Sequence, residues 1–269
     1  MPRDVAAWVA LWRHADVPVL RETAEQLEDL RAREDEVDAH LLAPLVSADP
    51  LMCLKLLAHV SSRRSSRRIT DTETATAALV MMGIAPFFRE FGPQPTVQDH
   101  LAAYPKALEG LLRVLARSQR AARFALGFAV HRMDPDAEVI HEAALLHDFA
   151  EMLLWCHSPE LALDIERRQR ADPTLRSAAA QRQVLGAELL DVQQALMRSW
   201  RLPELLVHIS DDHHDHAPQV RNVLLAIRLA RHTKAGWDNA AIPDDVRDIS
   251  QLLNLKAEST LRLLRELDS

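Results

Sequence analysis

The sequence predicts an all-α protein, and three observations predict it. Apolar residues recur at helical spacing along nearly the whole chain. Alternating Val/Ile/Thr/aromatic runs bounded by turn residues, the mark of strands, are nearly absent. Asp, Pro and Gly stand where helices would start and stop. With 269 residues, 48% apolar and 26% charged, the composition is that of a globular chain with a sizeable core. The length suits one large or two modest domains.

The elements follow in order. Trp8, Leu11, Trp12 and Ala15 share one face of a first helix. The Trp8–Trp12 pair reads as core packing, with an interface anchor as the alternative. Leu20, Leu27 and Leu30 line a second helix, from about residue 19 to 32, with charges opposite. Leu41, Leu42, Leu45 and Val46 mark a third. Asp49-Pro50 is an N-cap followed by proline at the first helical position, opening PLMCLKLLAHV. Thr70-Asp71-Thr72-Glu73 has capping-box spacing before ATAALVMMG, and Gly83 would close that helix. Residues 92–99, GPQPTVQD, are the clearest break in the first half. A long helical region follows, interrupted or kinked at Pro105. Asp134-Pro135-Asp136 breaks the chain again. Further helices are expected over about 158–170, 174–200 with a break at Gly186, 203–211, 218–234, 243–253 and 256–267. Trp200 and Pro203 read as packing and helix-start residues. The last two helices are amphipathic, and either cap the domain or mediate a dimer.

Composition excludes several functions. A net charge of −7 and a pI near 6.0 oppose general binding to nucleic acid or to an anionic membrane. Cys53 and Cys156 lie inside apolar runs and read as buried free thiols of a reducing compartment. No apolar run reaches the roughly 20 residues that span a bilayer. The N-terminal stretch, interrupted by Arg13 and His14, lacks a signal-peptide layout, so the expectation is cytoplasmic with no membrane contact. None of the six glycines forms a phosphate-cradling loop or a nucleophile elbow. No cofactor is expected.

The stretch HEAALLHDFAEMLLW, residues 141–155, carries the sharpest functional question. His147-Asp148 ends one apolar run and opens another. Adjacent His and Asp at a helix end can face one divalent metal, which could activate water for phosphoester cleavage. SDDHHDH, residues 210–216, offers Asp211, Asp212, His213, His214 and His216 as partners. His141 lies poorly on the same face as His147, and His131 and His100 could approach only through tertiary folding. The competing reading is a hydrogen-bonded His–Asp pair that fixes a helix end. SSRRSSRR, residues 61–68, reads first as a solvated connector. Its alternative is a loop binding phosphate, nucleotide or an acidic partner through Arg63, Arg64, Arg67 and Arg68.

Several of these segments, in order, resemble the HDOD family, the signalling offshoot of the HD phosphohydrolase superfamily. They are SADPLMCLKLLAHVSS, ITDTETATAALVMMG, AALLHDFAEMLL and LGAELLDVQQALMRSWRLPELLVHISDDHH. The resemblance runs from about residue 17 to 235, leaving an N-terminal helix (1–16) and a C-terminal extension (236–269). It implies a multi-helix bundle with lobes of about 17–92 and 100–235. It also implies a bacterial regulatory role, in signalling networks that include cyclic dinucleotides, through a protein partner or a small effector. Catalytic HD phosphohydrolases carry further metal ligands. The corresponding places here hold Arg117 and Ser118, Leu189 and Ile227. Phe149 and Ala150 replace the usual Ile and Gly. The resemblance therefore implies a degenerate site of His147, Asp148, His213 and His214, with no metal and no catalysis. His147 and Asp148 would tie helix ends together through hydrogen bonds with His213 or His214. The rival is a divergent metal-dependent phosphohydrolase in which Asp211 or Asp212 replaces the missing carboxylate.

Overall fold

The computed structural model describes residues 2–63, 73–214 and 216–268. Its helices in chain order are α1 (Val5–Trp12), α2 (Arg21–Arg31), α3 (Ala39–Ala48), α4 (Pro50–Ser62), α5 (Ala75–Met82), α6 (Ile84–Glu90), α7 (Val97–His100), α8 (Pro105–His131) and α9 (Ala137–Leu146). They continue as α10 (Phe149–His157), α11 (Pro159–Ala171), α12 (Ser177–Leu185), α13 (Leu189–Ser199), α14 (Glu204–Ile209), α15 (Pro218–His232), α16 (Ile242–Leu253) and α17 (Ala257–Leu267). Among the described residues the only extended pairing is one isolated parallel bridge between Val19 and Thr96. The all-α expectation holds.

The chain packs into two units, each built from two chain segments. The first comprises residues 1–115 and 148–203, the second residues 116–147 and 204–269. The break expected at 92–99 lies inside the first unit. There the Val97 amide donates to the Val19 carbonyl at 2.8 Å and the Val19 amide to the Pro95 carbonyl at 2.9 Å.

In the first unit the core sits around α4 and α10. α4 buries Leu51, Met52, Cys53, Leu54, Leu56 and Leu57, and α10 buries Phe149 and the run Met152–Cys156. α4 starts where the sequence says it should. Asp49 caps it, accepting from the Leu51 amide at 2.9 Å, with Pro50 at the first position. α1 packs on α13. Trp8 donates its indole N–H to the Leu185 carbonyl at 3.0 Å, and Trp200 donates to the Arg13 carbonyl at 3.0 Å. Trp8 and Trp12 are therefore core residues. Leu11 and Leu41, expected on buried faces, are about half exposed. A helix buries only the stripes its neighbours cover: α1 packs on α13, and α3 on α4 and α5, which leaves these two leucines at the edge.

In the second unit α9 and α15 pack against each other, α16 on α15 and α17 on α16. Ile249 of α16 and Leu264 of α17 are fully buried, so the last two helices cap this unit. Arg120 grips their end: it pairs with both carboxylate oxygens of Asp268 and donates to the Thr233 carbonyl at 2.7 Å.

Two boundaries differ from expectation. α8 begins at Pro105 instead of being kinked by it, since proline lacks only an amide that a first turn leaves unpaired. Thr74, not the Thr70–Glu73 box, caps α5, accepting from the Ala77 amide at 3.2 Å; Thr70, Asp71 and Thr72 lie outside the described residues. The break at Gly186 is a left-handed helix end, with φ 73°.

Candidate functional site

The His-Asp pair arises from two helices separated by only two residues. α9 ends at Leu146 and α10 begins at Phe149. His147 keeps helical angles (φ −57°, ψ −33°), while Asp148 turns out of them (φ −107°, ψ 22°) and opens α10. One of the three places where the chain passes from one unit to the other falls between these two residues.

His147 is buried, and its Nε2 lies 3.0 Å from Oδ1 of Asp212. Asp212 opens the single 3-10 turn, Asp212–His214, that leads from α14 toward α15. An ionised carboxylate only accepts hydrogen bonds, so the tautomer that pairs with it is the one whose Nε2 donates. The partner expected for His147 was His213 or His214. Among the described residues Asp212 pairs with it, because the 3-10 turn sends Asp212 inward (31% exposed) and His213 outward (74% exposed). His213 pairs locally, its Nδ1 2.9 Å from Asp211 Oδ1. The His214 side chain lies outside the described residues.

The positions that resemblance assigns to further metal ligands are filled differently. Leu189 and Ile227 are both buried, 6% and 4% exposed. Ser118 is buried, and its hydroxyl has no hydrogen-bond partner among the described residues. Among the described residues no group of three or more His, Cys, Asp or Glu side chains is placed to hold a metal ion. A dication needs several converging donors. His100, in the first unit, sits 3.0 Å from the Cys156 carbonyl. His141 lies mostly inside the second unit, and burial holds its pKa below the ordinary imidazole value. Of the basic loop, Arg63 pairs with Glu90 at 3.2 Å; Arg64, Arg67 and Arg68 lie outside the described residues.

Sequence reading missed the role of Asp49 beyond its cap. The carboxylate is fully buried, and it accepts from the Leu20 amide at 2.8 Å as well as from its own helix. Burial raises its pKa, against the lowering effect of those hydrogen bonds and of one from Thr23. The Cys156 thiol is pushed up to about 12 by burial and then by the Asp49 charge. Sequence reading also passed over Lys55 and His59. They stand one helical turn apart on otherwise apolar α4, a spacing that could have marked a polar stripe.

The all-helical fold, the Leu-Leu-His-Asp turn between α9 and α10 and the later Asp-His-His turn define a helical HD-like domain. The chain belongs to the HDOD domain family, whose family model matches residues 17–216. No curated protein matches it. Among solved structures it is similar to the MmoQ response regulator from Methylococcus capsulatus, with 18% identity, TM-score 0.67, and coverage of 93% of this chain and 98% of that one. It is also similar to a virulence factor from Campylobacter jejuni, with 16% identity, TM-score 0.69, and coverage of 97% and 94%. A third similar structure is an HDOD domain protein of unknown function from Geobacter sulfurreducens, with 16% identity, TM-score 0.50, and 99% of each chain covered. At these identities the likeness is one of fold. Among the described residues no single helix is long and apolar enough to cross a membrane. α3 and α4 pass that test only together, and they bend by 119°.

Proposed function

We propose that this chain is a non-catalytic regulatory domain of signal transduction that works by binding a protein partner or a small effector. The observation that carries the reading is the 3.0 Å contact of His147 with Asp212, a pair that ties the end of α9 to the turn after α14. Apolar Leu189 and Ile227 at the further ligand positions support it. HDOD membership supports a signalling role, as does the name of one structural neighbour, a response regulator. Such a domain would work in the cytoplasm.

Elemental mass spectrometry tests the reading. The full chain, purified without a histidine tag, is loaded with manganese, iron, zinc or nickel and desalted. The expected result is no retained metal and no hydrolysis of bis(p-nitrophenyl) phosphate. Near-stoichiometric metal that disappears in His147→Ala, together with hydrolysis, would overturn it. That outcome would favour a divergent HD-type phosphohydrolase using His147, Asp148, His213 and His214.

A further inference from the structure

The first unit contains a cleft of about 370 Å³ with three walls. One is the turn after α1, contributing Arg13, His14, Ala15, Asp16 and Val17. The second is one face of α4, where Leu54, Lys55, Ala58, His59 and Ser62 recur at helical spacing. The third is the end of α13, with Ser199 and Trp200. The volume lies within the roughly 300–1,000 Å³ usual for small-molecule sites, and the lining has their mixture of apolar wall and few converging polar groups.

The charges in this cleft are arranged unevenly. The Lys55 ammonium has three donors. Two go to neutral acceptors, the Val17 carbonyl at 3.0 Å and Gln94 Oε1 at 2.6 Å. The third goes to Asp16 Oδ1 at 3.0 Å. Lys55 is largely covered, 19% exposed, while Asp16 is 69% exposed. A covered, rigidly held cation thus has its negative charge supplied by one carboxylate standing in solvent. An exposed ion pair contributes little, so another oxyanion can replace Asp16 at small cost. At the rim, Arg13 makes no side-chain ion pair or hydrogen bond among the described residues, although its guanidinium is shaped for an oxyanion. One turn along α4 from Lys55, His59 faces Glu90 at 3.3 Å, and burial keeps it below the usual imidazole range, so it adds little positive charge near neutrality.

The geometry points to this cleft as the binding site for a small organic anion, a single carboxylate or phosphate group on an apolar body. Lys55 would receive the oxyanion in place of Asp16, Arg13 would close over it, and Val17, Leu54 and Ala58 would receive the apolar body. This rests on the reading of the chain as a binding domain and gives its effector a chemical class.

Isothermal titration of the full chain with phenyl phosphate, benzoate and neutral benzyl alcohol tests it. The expected result is one saturable site for at least one anion and none for the alcohol. Binding to phenyl phosphate alone assigns a phosphate head, and to benzoate alone a carboxylate. Because Lys55 also braces Val17 and Gln94, the deciding variants are the two exposed residues. Arg13→Gln is expected to weaken the anion at least about fivefold, as loss of a charge-assisted hydrogen bond does. Asp16→Asn is expected to tighten it about threefold by removing the competing carboxylate. Absence of saturable heat with either anion overturns the proposal. So does an affinity unmoved by both substitutions in variants whose circular dichroism and melting match the parent. These titrations are done without metal, so their failure leaves the non-catalytic reading standing. Metal-dependent hydrolysis would sink that reading without altering them.

Discussion

Asp49 shows how much one side chain can organise. It caps α4, ties Leu20 to that cap, and raises the pKa of Cys156. Asp49→Ala removes a cap and strands a buried amide, so it is expected to cost about 2–4 kcal/mol in urea unfolding. The pH dependence has a definite sign. The folded-state pKa of Asp49 lies above its ordinary value of 3.8, so its contribution is fully present below 3.8 and lost as pH rises through the folded value. The stability of the parent relative to Asp49→Asn should therefore fall as pH rises above 3.8. Cys156 follows the same rule at the alkaline end. Its contribution is present below its ordinary value of 9.0 and lost as pH rises toward about 12. In native protein at pH 8, iodoacetamide should label Cys156 only at the rate of unfolding, because the thiolate is scarce and the thiol is buried. Prompt labelling would contradict this placement.

At the scale of elements, starts and stops were legible because they depend on local chemistry. Asp49-Pro50, Gly83 and Gly186 each end or begin a helix through their own backbone needs. The exposed Leu11 and Leu41 were not legible, because periodicity says which residues share a face and not how much of that face a neighbour covers. The N-terminal helix gives the clearest test. Gly186 has φ 73°, and a Cβ there would stand 2.2 Å from the Arg3 carbonyl oxygen. Gly186→Ala is expected to cost about 2 kcal/mol or more, from left-handed strain plus displacement of the N-terminal segment. Trp8→Ala should cost about 3–5 kcal/mol, by leaving a cavity and an unanswered Leu185 carbonyl. Thermal melts of both variants check these values.

At the scale of the molecule, two helical units meet in sequence at His147-Asp148. If His147 serves structure and not catalysis, His147→Ala should lower the melting temperature by several degrees, leaving Asp212 partly buried without its partner. Removing metals should do nothing. A ligand that binds only the folded state raises its melting temperature, so dialysis against EDTA is expected to leave the transition unmoved to within about 1 °C. A drop of several degrees on chelation would point to a bound metal.

The sequence by itself determined the helical class, the caps and breaks of most elements, and the segments that mark the family. All of these depend on residue spacing and on the backbone preferences of Asp, Pro and Gly. Tertiary structure alone decided that His147 faces Asp212, that both units are assembled from separated segments, and that Lys55 stands covered beside an exposed Asp16. The physical reason is that these pairings join residues 39 to 65 positions apart. Local propensity carries no information about which distant turn will supply a charge; packing of the intervening helices does.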